Sequence, residues 1–488
     1  MRRGELVLVA SAALALAACG PVAVLTKPEG DGGWSVQRRQ AELAARAAAA
    51  AVPLDGGAGD EAPVPAGPLA LPDVVELAAQ RNRRILEARY ALDAAGARVR
   101  DARGRLLPAT TGTGRYTWYT DPLTTAIELP PGLLPPGAIP PVVAIREAEV
   151  GRVSGTVAVP LDLSGELWTA LRSAQAGYRG EAARLWATTL QEQLVAIRAY
   201  FGLLEAQRLR LVTRGRIAAQ EEQRRTAQAR YDAGRLTRNE LLVVQVALSE
   251  VQQELVAREL AVDQWRWALN DATGRPVDAP TEVQDVLGEP ALPAADAALA
   301  DAFAHNPVLA SLLEEQQRLE EAARSLARSR LPRFEGGGSI DWTSEQIVQP
   351  DTIGGGYVGF SWDLGTDGRR EARLAEARIE ADRNRTAIER ELRGLESAVR
   401  QTRRAVEERL AALAAARTAV TQADENLRIR QQQFESGRAT SEDVLDAETR
   451  LAAQRATLAT ALYQAHTRRA ELQQLLGLPL AALAATTR

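Results

Sequence analysis

The chain contains an internal duplication of roughly two hundred residues. The segment from Gln228 to Leu242 returns at residues 431–445, with an aromatic residue, a glycine, an acid and a leucine all displaced by 203 positions. A repeat of this length indicates one supersecondary unit built twice, not a set of residues gathered around a single catalytic motif. Any fold proposed for this chain must accommodate two similar halves.

The duplication extends well beyond that segment. Three further landmarks recur, two at an offset of 224 and one at an offset of 201: Asn82 with Asn306, Leu107-Pro108 with Leu331-Pro332, and Pro160 to Leu163 with Ser361 to Leu364. The fall in offset means that the first copy carries 23 extra residues between Pro108 and Pro160. Seven prolines lie between Asp121 and Pro141. Because proline lacks a backbone N–H and fixes φ, this insertion is predicted to be a loop.

The composition favours long helices and argues against an enzyme. Aromatic residues make up only 4% of 488 residues, while alanine, arginine, leucine and glutamate dominate. Acids and bases are interspersed and the net charge is −4, so no nucleic-acid partner is expected. The two histidines, His305 and His466, are interpreted as polar positions on helix faces. With a single cysteine and no Ser/His/Asp grouping, the sequence predicts no catalytic residue, no metal site and no cofactor other than a covalent lipid.

That lipid is predicted on Cys19. Met1-Arg-Arg is followed by an apolar stretch, Leu6 to Leu16, and then by Leu16-Ala-Ala-Cys19. This is the form of a secretory signal over residues 1–18, and it resembles the bacterial lipoprotein box, in which the cysteine is acylated and becomes the new N-terminus. Gly20 provides no acidic retention signal, so delivery to the outer membrane is expected. An ordinary signal peptide with an incidental cysteine is the alternative.

Strand patterns occur once in each copy. Apolar and small or polar residues alternate from Val153 to Leu163 and again from Tyr357 to Leu364. Weaker alternation precedes each of them, at residues 111–120 and 338–343, which predicts four strands in two hairpins. Four strands cannot close a barrel, and an open sheet edge in lipid leaves backbone groups unsatisfied, so a membrane sheet would require further copies of the chain. The alternative is a small soluble sheet packed on helices.

Two very long helices are predicted, one in each copy. No proline occurs from Leu161 to Arg275 or from Asp351 to Leu478. Coiled-coil spacing is found in both stretches, at Leu190, Leu194, Ile197, Phe201, Leu204 and Leu211, and at Ile388, Leu392, Leu395 and Val399. A rod from Ser164 to Arg230 would be about 100 Å long. Each rod is expected to turn at Gly234 or Gly437 and to return as a second helix that ends at Gly274 or Gly477.

In this order the landmarks resemble those of the TolC-like outer-membrane efflux proteins, in their lipid-anchored branch. The resemblance covers nearly all of residues 70–482. It implies a mainly α chain with a small transmembrane β part, which assembles as a homotrimer with one shared twelve-stranded β-barrel and a long periplasmic α-barrel. The organisation expected is a signal peptide (1–18), an acylated segment and linker (19–69), a first repeat (70–278), a linker (279–292), a second repeat (293–482) and a tail (483–488).

The resemblance also suggests roles for the two helix tips. Glu240, Asp443 and Asp446 match acids that ring the periplasmic entrance of such channels, where three copies would draw carboxylates together and favour cations. Acids after a turn also favour a helix N-terminus, which is the alternative explanation. Ala439 stands where some members have an arginine. The turns resemble the docking surface for a periplasmic adaptor, with Leu236 expected to be exposed: Gly234, Arg235, Leu236, Thr237, Gly437, Arg438 and Thr440.

The function implied is a passive exit duct in the outer membrane of a Gram-negative bacterium. It would receive solutes from an inner-membrane pump and a periplasmic adaptor, because the chain has no phosphate-binding glycine loop with which to use nucleotide energy. Two alternatives stay open. One is a lipid-anchored coiled-coil tether that spans the periplasm, and the other is the outer component of a type I protein secretion system.

Overall fold

The computed structural model describes residues 67–126, 142–286, 288–345, 350–365, 368–436, 438–481 and 483. The signal segment, Cys19 and Gly437 lie outside these ranges. The described residues belong to one unit, 61–488. In chain order the helices are α1 (Leu71–Arg81), α2 (Arg83–Gly104), α3 (Glu166–Asp232), α4 (Arg238–Ala272), α5 (Ala295–His305), α6 (Pro307–Arg328), α7 (Arg369–Glu435) and α8 (Ser441–Leu475). The strands are β1 (Ala109–Trp118), β2 (Leu123–Ala126), β3 (Val142–Arg146), β4 (Glu149–Leu161), β5 (Arg333–Thr343) and β6 (Thr352–Ser361).

The two long helices are the same length. Both α3 and α7 have 67 residues, and each return helix, α4 and α8, has 35. At the end of α3, Gly234 adopts φ 70° and the N–H of Arg235 donates to the Arg230 carbonyl at 2.8 Å, which closes the helix in a left-handed turn. The N–H of Arg438 makes the equivalent bond to Gln433 at 2.8 Å. The predictions of proline-free rods and of a turn at Gly234 are confirmed, and the second rod ends at Glu435, just before its predicted turn.

The four longest helices lie side by side in the order α4, α3, α8, α7. Helix α3 packs against both α4 and α8, and α8 packs against α7. The shorter helices also pack against the rods. Helix α2 packs against α3, and α6 packs against both α3 and α7. The two repeats therefore join along α3, which contacts both α6 and α8 of the second repeat, while α4 and α7 form the two edges of the layer of long helices.

Two joints connect the short helices to the return helices. Asn82 precedes α2, and its side chain accepts a hydrogen bond from Arg84 N and donates to the carbonyl of Ala272 at the end of α4, at 3.4 Å. Asn306 precedes α6 and links it to the end of α8 in the same way. One asparagine thus satisfies an unpaired N–H at a helix start and an unpaired carbonyl at a helix end.

The principal sheet has the order β1-β4-β5-β6, and all its pairs are antiparallel. The prediction of four strands in two hairpins is confirmed, and β4 and β5 join the two repeats. The insertion was predicted to be a loop, but β2 and β3 at its ends pair as a second, two-stranded sheet. Their residues lie outside the densest proline run, which falls in residues 127–141 beyond the described ranges.

The main hydrophobic core surrounds the middle of α3. Leu190, Ile197 and Leu203 are fully buried there, against α1, the end of α4 and α8. The coiled-coil seam predicted to continue to Leu211 is wrong at its far end, because Leu211 is 54% exposed in the single chain. At that level α3 borders a cavity instead of a packed neighbour.

His466 does not lie on a polar helix face, as the sequence had suggested. It is buried, its ring stacks on Phe201 at 5.0 Å, and Nε2 lies 2.8 Å from the carbonyl of Gly288 in the linker between repeats. Burial lowers the pKa of His466, which favours the neutral ring. Its role is therefore to fix the linker to α8. His305 is exposed, as expected.

Candidate functional site

One face of the four-stranded sheet is apolar. Residues directly opposite each other in antiparallel strands share a face, and Val153 stands opposite Gly114 on β1 and Trp342 on β5. The large side chains of this face are Tyr116, Trp118, Val153, Val157, Val159, Leu161, Phe334, Ile340, Trp342, Val358 and Phe360. Among the paired positions of this face, Glu149 is the only ionisable group besides Tyr116, whose hydroxyl donates to it at 2.7 Å.

The opposite face is polar and carries charges of both signs. It presents Arg115 beside Arg152, and Ser154 beside Asp341. The guanidinium of Arg152 forms an ion pair with Glu345 at 3.2 Å, and the hydroxyls of Thr113 and Ser154 lie 2.6 Å apart. A sheet with one apolar face and one hydrated face is suited to a wall between lipid and water.

Aromatic residues are concentrated at both ends of the apolar face. Phe334 and Phe360 pack together at the end near the helices, with ring centroids 6.0 Å apart. Trp118 and Trp342 lie at the other end. Trp342 is eight positions beyond Phe334 along β5, which corresponds to about 26 Å of strand. That height and the two aromatic borders are typical of strands that cross an outer membrane.

Two other kinds of site are absent from the described residues. None of the helices in those ranges has an apolar stretch long enough to cross a membrane. In the same part of the chain, no group of histidine, cysteine, aspartate or glutamate side chains is arranged to hold a metal ion.

At the first helix tip, Glu240 closes a capping box with Thr237. The Glu240 carboxylate accepts hydrogen bonds from the N–H of Thr237 at 2.8 Å and from its hydroxyl at 2.7 Å, while the Glu240 N–H donates back to Thr237 Oγ1 at 3.3 Å. The bond from the Thr237 N–H is the main reason that the pKa of Glu240 is lowered. The carboxylate is thus charged and starts α4.

The second tip repeats this arrangement. Asp443 accepts from the N–H of Thr440 at 2.8 Å and from its hydroxyl at 2.7 Å, and the Thr440 N–H again lowers the pKa of the acid. Asp446 lies one turn further on and forms an ion pair with Arg450 at 2.8 Å. All three acids identified from the sequence therefore have local partners, and two of them occupy equivalent positions in the repeats.

The turn residues themselves differ in exposure. Arg235, Thr237, Arg438 and Thr440 are exposed, as a docking surface requires. Leu236 was expected to be exposed, but it is half-buried against Ala227, Leu241 and Val244 in a small core beneath the first turn. The residue equivalent to Leu236 in the second repeat is Ala439. Gly437 lies outside the described residues.

A contact missed by the sequence analysis brings the two tips together. The guanidinium carbon of Arg230, in the last turn of α3, lies 4.2 Å from the centroid of the Phe434 ring in the last turn of α7. This is a cation–π contact between the two repeats. The repeated aromatic position, Tyr231 and Phe434, was the available signal, but its partner depends on how the repeats pack.

Comparisons with known proteins agree with this architecture. The structure of the outer membrane protein VceC from Vibrio cholerae matches with a TM-score of 0.70 and 17% identity, covering 83% of this chain and 96% of that one. The outer membrane channel CmeC of Campylobacter jejuni matches with a TM-score of 0.71 and 16% identity, over 83% and 85% of the two chains. The open state of the MtrE outer membrane channel of Neisseria gonorrhoeae matches with a TM-score of 0.68 and 18% identity, covering 84% of this chain and 89% of that one.

No curated protein sequence gives a significant match. The profile of outer membrane efflux proteins, however, matches residues 74–275 and 298–478, one segment in each repeat. These two segments include both long helices, both tips and all four strands of the principal sheet. The chain therefore belongs to the outer membrane efflux protein family, whose members are exit ducts through which solutes leave the cell.

Proposed function

We propose that three copies of this chain assemble into one outer-membrane channel, with twelve strands in a shared barrel and the long helices in a tunnel below it. The observation that carries this proposal is a pair of open edges. Among the described residues, β1 and β6 each have one unpaired side in the sheet, and α4 and α7 lie at the two borders of the layer of long helices. Three-fold repetition would pair β6 with β1 and α7 with α4 of successive copies.

An exposed apolar stripe on α4 supports this closure. Leu242, Val246, Val256 and Leu260 lie on one side of the helix and are between 47% and 69% exposed. On α7, Ile379 and Ile429 are also exposed. The apolar stripe on α4 is suited to pack against the exposed side of α7 in the next copy, as in a coiled coil.

The membrane anchor and the route of transport complete the proposal. A lipid on Cys19 would hold each chain to the outer membrane, while the apolar face of the sheet contacts the bilayer. An inner-membrane pump would supply energy, and a periplasmic adaptor would dock at the tips formed by residues 234–237 and 437–440. If the strands did not form a barrel, the long helices would instead suit a lipid-anchored tether across the periplasm. If the cargo were a protein, the channel would be the outer component of a type I secretion system.

The tip acids would form charged rings at the periplasmic mouth. Glu240, Asp443 and Asp446 lie within two turns of the tips, and the first two carboxylates stay charged because their pKa values are lowered. Three copies would bring nine carboxylates to this end of the tunnel, which favours cations. Glu240 and Asp443 also cap helices, so their charge and their capping are two separate roles.

Native mass spectrometry of the membrane-extracted protein tests the assembly and the anchor together. We expect a trimer whose chains begin at an acylated Cys19, with passive conductance in planar bilayers. A stable acylated monomer with no conductance would favour the tether.

Amide variants separate the two roles of the tip acids. Glu240→Gln and Asp443→Asn keep an oxygen that accepts from the capping threonine but remove the charge. We expect reduced cation preference in the reversal potential, with helix content unchanged. An unaltered reversal potential in the variant that also includes Asp446→Asn would reject the charged ring.

A further inference from the structure

A cavity of about 620 Å³ lies between α3, α7 and α8, on the tip side of the main core. Its lining is largely apolar and comes from all three helices: Leu211 and Val212 from α3, Val420 and Leu427 from α7, and Leu451 and Leu458 from α8. This volume is in the range of pockets that hold drug-sized molecules. It also explains why the seam leucine Leu211 is exposed.

One acidic side chain in this cavity has an atom without a partner. Glu448, on α8, lines the cavity and is half-buried, and its Oε2 is shielded from solvent with no hydrogen-bond partner among the described residues. Burial raises the pKa of Glu448. A desolvated carboxylate oxygen of this kind costs stability unless something pairs with it.

The other charged groups that line the cavity are already engaged, with one exception at its border. Arg216 Nη1 donates to Glu254 at 2.8 Å, although Arg216 Nε is shielded from solvent with no hydrogen-bond partner among the described residues, and Arg455 donates to Asp424 at 3.1 Å. Asp285 accepts from the hydroxyl of Tyr463 at 2.8 Å. The exception, Arg208, is exposed to solvent. Glu448 is therefore the negative charge available to a molecule inside the apolar part of the cavity.

We propose that this cavity binds lipophilic organic cations, with the apolar body of the ligand against the leucine and valine lining and its positive charge against Glu448. A ligand of this class would pair with Glu448 Oε2 and would also cover the exposed side chain of Leu211. An organic anion would place its charge against the same carboxylate. The site goes beyond the exit-duct function, because it is formed within one chain and does not depend on trimer assembly.

Two probes of nearly the same size and shape test the proposal. Tetraphenylphosphonium is a permanent cation and tetraphenylborate is the matching anion. Isothermal titration calorimetry of the full-length protein in one detergent should show saturable binding of the phosphonium. Glu448→Gln should weaken that binding about tenfold, the scale expected for losing a partly buried charge pair. Glu250→Gln removes an exposed acid of α4 outside the cavity and should leave binding unchanged.

A steric variant and a pH titration provide independent checks. A Cβ added at Gly215 would meet no atom within 4 Å, so Gly215→Leu places a side chain at the cavity lining without a clash at its first carbon, and it should weaken phosphonium binding while the helical circular dichroism is retained. Because the pKa of Glu448 is raised, binding should be lost on acidification before ordinary glutamates protonate.

The outcomes that overturn the inference are distinct from those that would overturn the channel. Equal affinity for both probes, the same phosphonium affinity in Glu448→Gln, or no saturable binding would each reject the cation site. The assembly and conductance of the same samples are measured separately, so a conducting trimer that binds no phosphonium leaves the exit duct intact and rejects only this inference.

Discussion

In the first repeat, Asn82 reaches the end of α4 and also donates to Glu192 Oε2 at 3.0 Å, while Arg84 pairs with the other Glu192 oxygen at 3.1 Å. In the second repeat, Asn306 accepts from the N–H groups of Val308 and Leu309, both at 3.0 Å, and donates to the Leu475 carbonyl at 3.0 Å. The two joints share the asparagine and a glycine of positive φ after the return helix. They differ in what surrounds the asparagine.

The difference shows which features of a duplicated joint are constrained. The residue equivalent to Glu192 is Leu395, which is buried in an apolar cluster with Ala298 and Ala302. Either a buried carboxylate with two donors or a leucine can fill this position, because both leave no unsatisfied group. The asparagine is retained because one side chain must both accept and donate, and the glycine because no side chain fits there.

The largest effect is expected at the two glycines. A Cβ on Gly477 would lie 2.1 Å from the His305 carbonyl oxygen, whereas on Gly274 it would lie 2.8 Å from Arg81 Cβ, and both positions have φ near 70°. We expect Gly477→Ala to lower the free energy of unfolding by about 4 kcal/mol and Gly274→Ala by about 2 kcal/mol. Chemical denaturation of both variants checks the order. If Gly274→Ala cost as much as Gly477→Ala, the difference in tightness between the joints would be refuted.

A matched pair of substitutions isolates the role of Glu192. Asn82→Asp keeps the capping oxygen but places a second carboxylate against Glu192, so we expect a cost of about 3 kcal/mol at neutral pH. Asn306→Asp replaces the donor to Leu475 with a carboxylate oxygen, but Leu395 stands where Glu192 lies in the first joint, so we expect a smaller cost of about 2 kcal/mol.

The pH dependence of the two variants should also differ. Two adjacent carboxylates raise the pKa of one of them, so the stability lost in Asn82→Asp should return as the pH falls through that raised value. Asn306→Asp should not regain stability in this way, because no pair of carboxylates forms at the second joint. Denaturation at two pH values measures it, and identical pH profiles would show that Glu192 does not govern the first joint.

The smallest effects are expected at the tips, where the two repeats are most alike. Thr237→Val and Thr440→Val remove the capping hydroxyl and should each cost about 1 kcal/mol, as measured by denaturation. The lowered pKa values of Glu240 and Asp443 mean that their contribution is present above the ordinary carboxyl range and is lost as the pH falls through the lowered folded-state values. A large difference between the two threonine variants would indicate that Leu236 and Ala439 make the tips unequal.

Leu236 and His466 show where prediction from the sequence fails. The turn containing Leu236 was predicted from its glycine and capping residues, yet the burial of that leucine depends on Ala227 and Val244 from both helices of the hairpin. His466 looked like a polar helix position, but Phe201 and the linker between repeats enclose it. Both errors concern side chains whose surroundings come from distant parts of the chain.

The sequence by itself determined the duplicated plan, the strands and their hairpins, the equal rods and their turn positions. These follow from the spacing of apolar residues and from glycine and proline, whose effects act over a few residues. Only the tertiary structure decided the pairing of β4 with β5, the contact of Arg230 with Phe434, and the cavity around Glu448. Each of these joins residues more than a hundred positions apart, so it depends on how the two repeats pack, which no local pattern specifies.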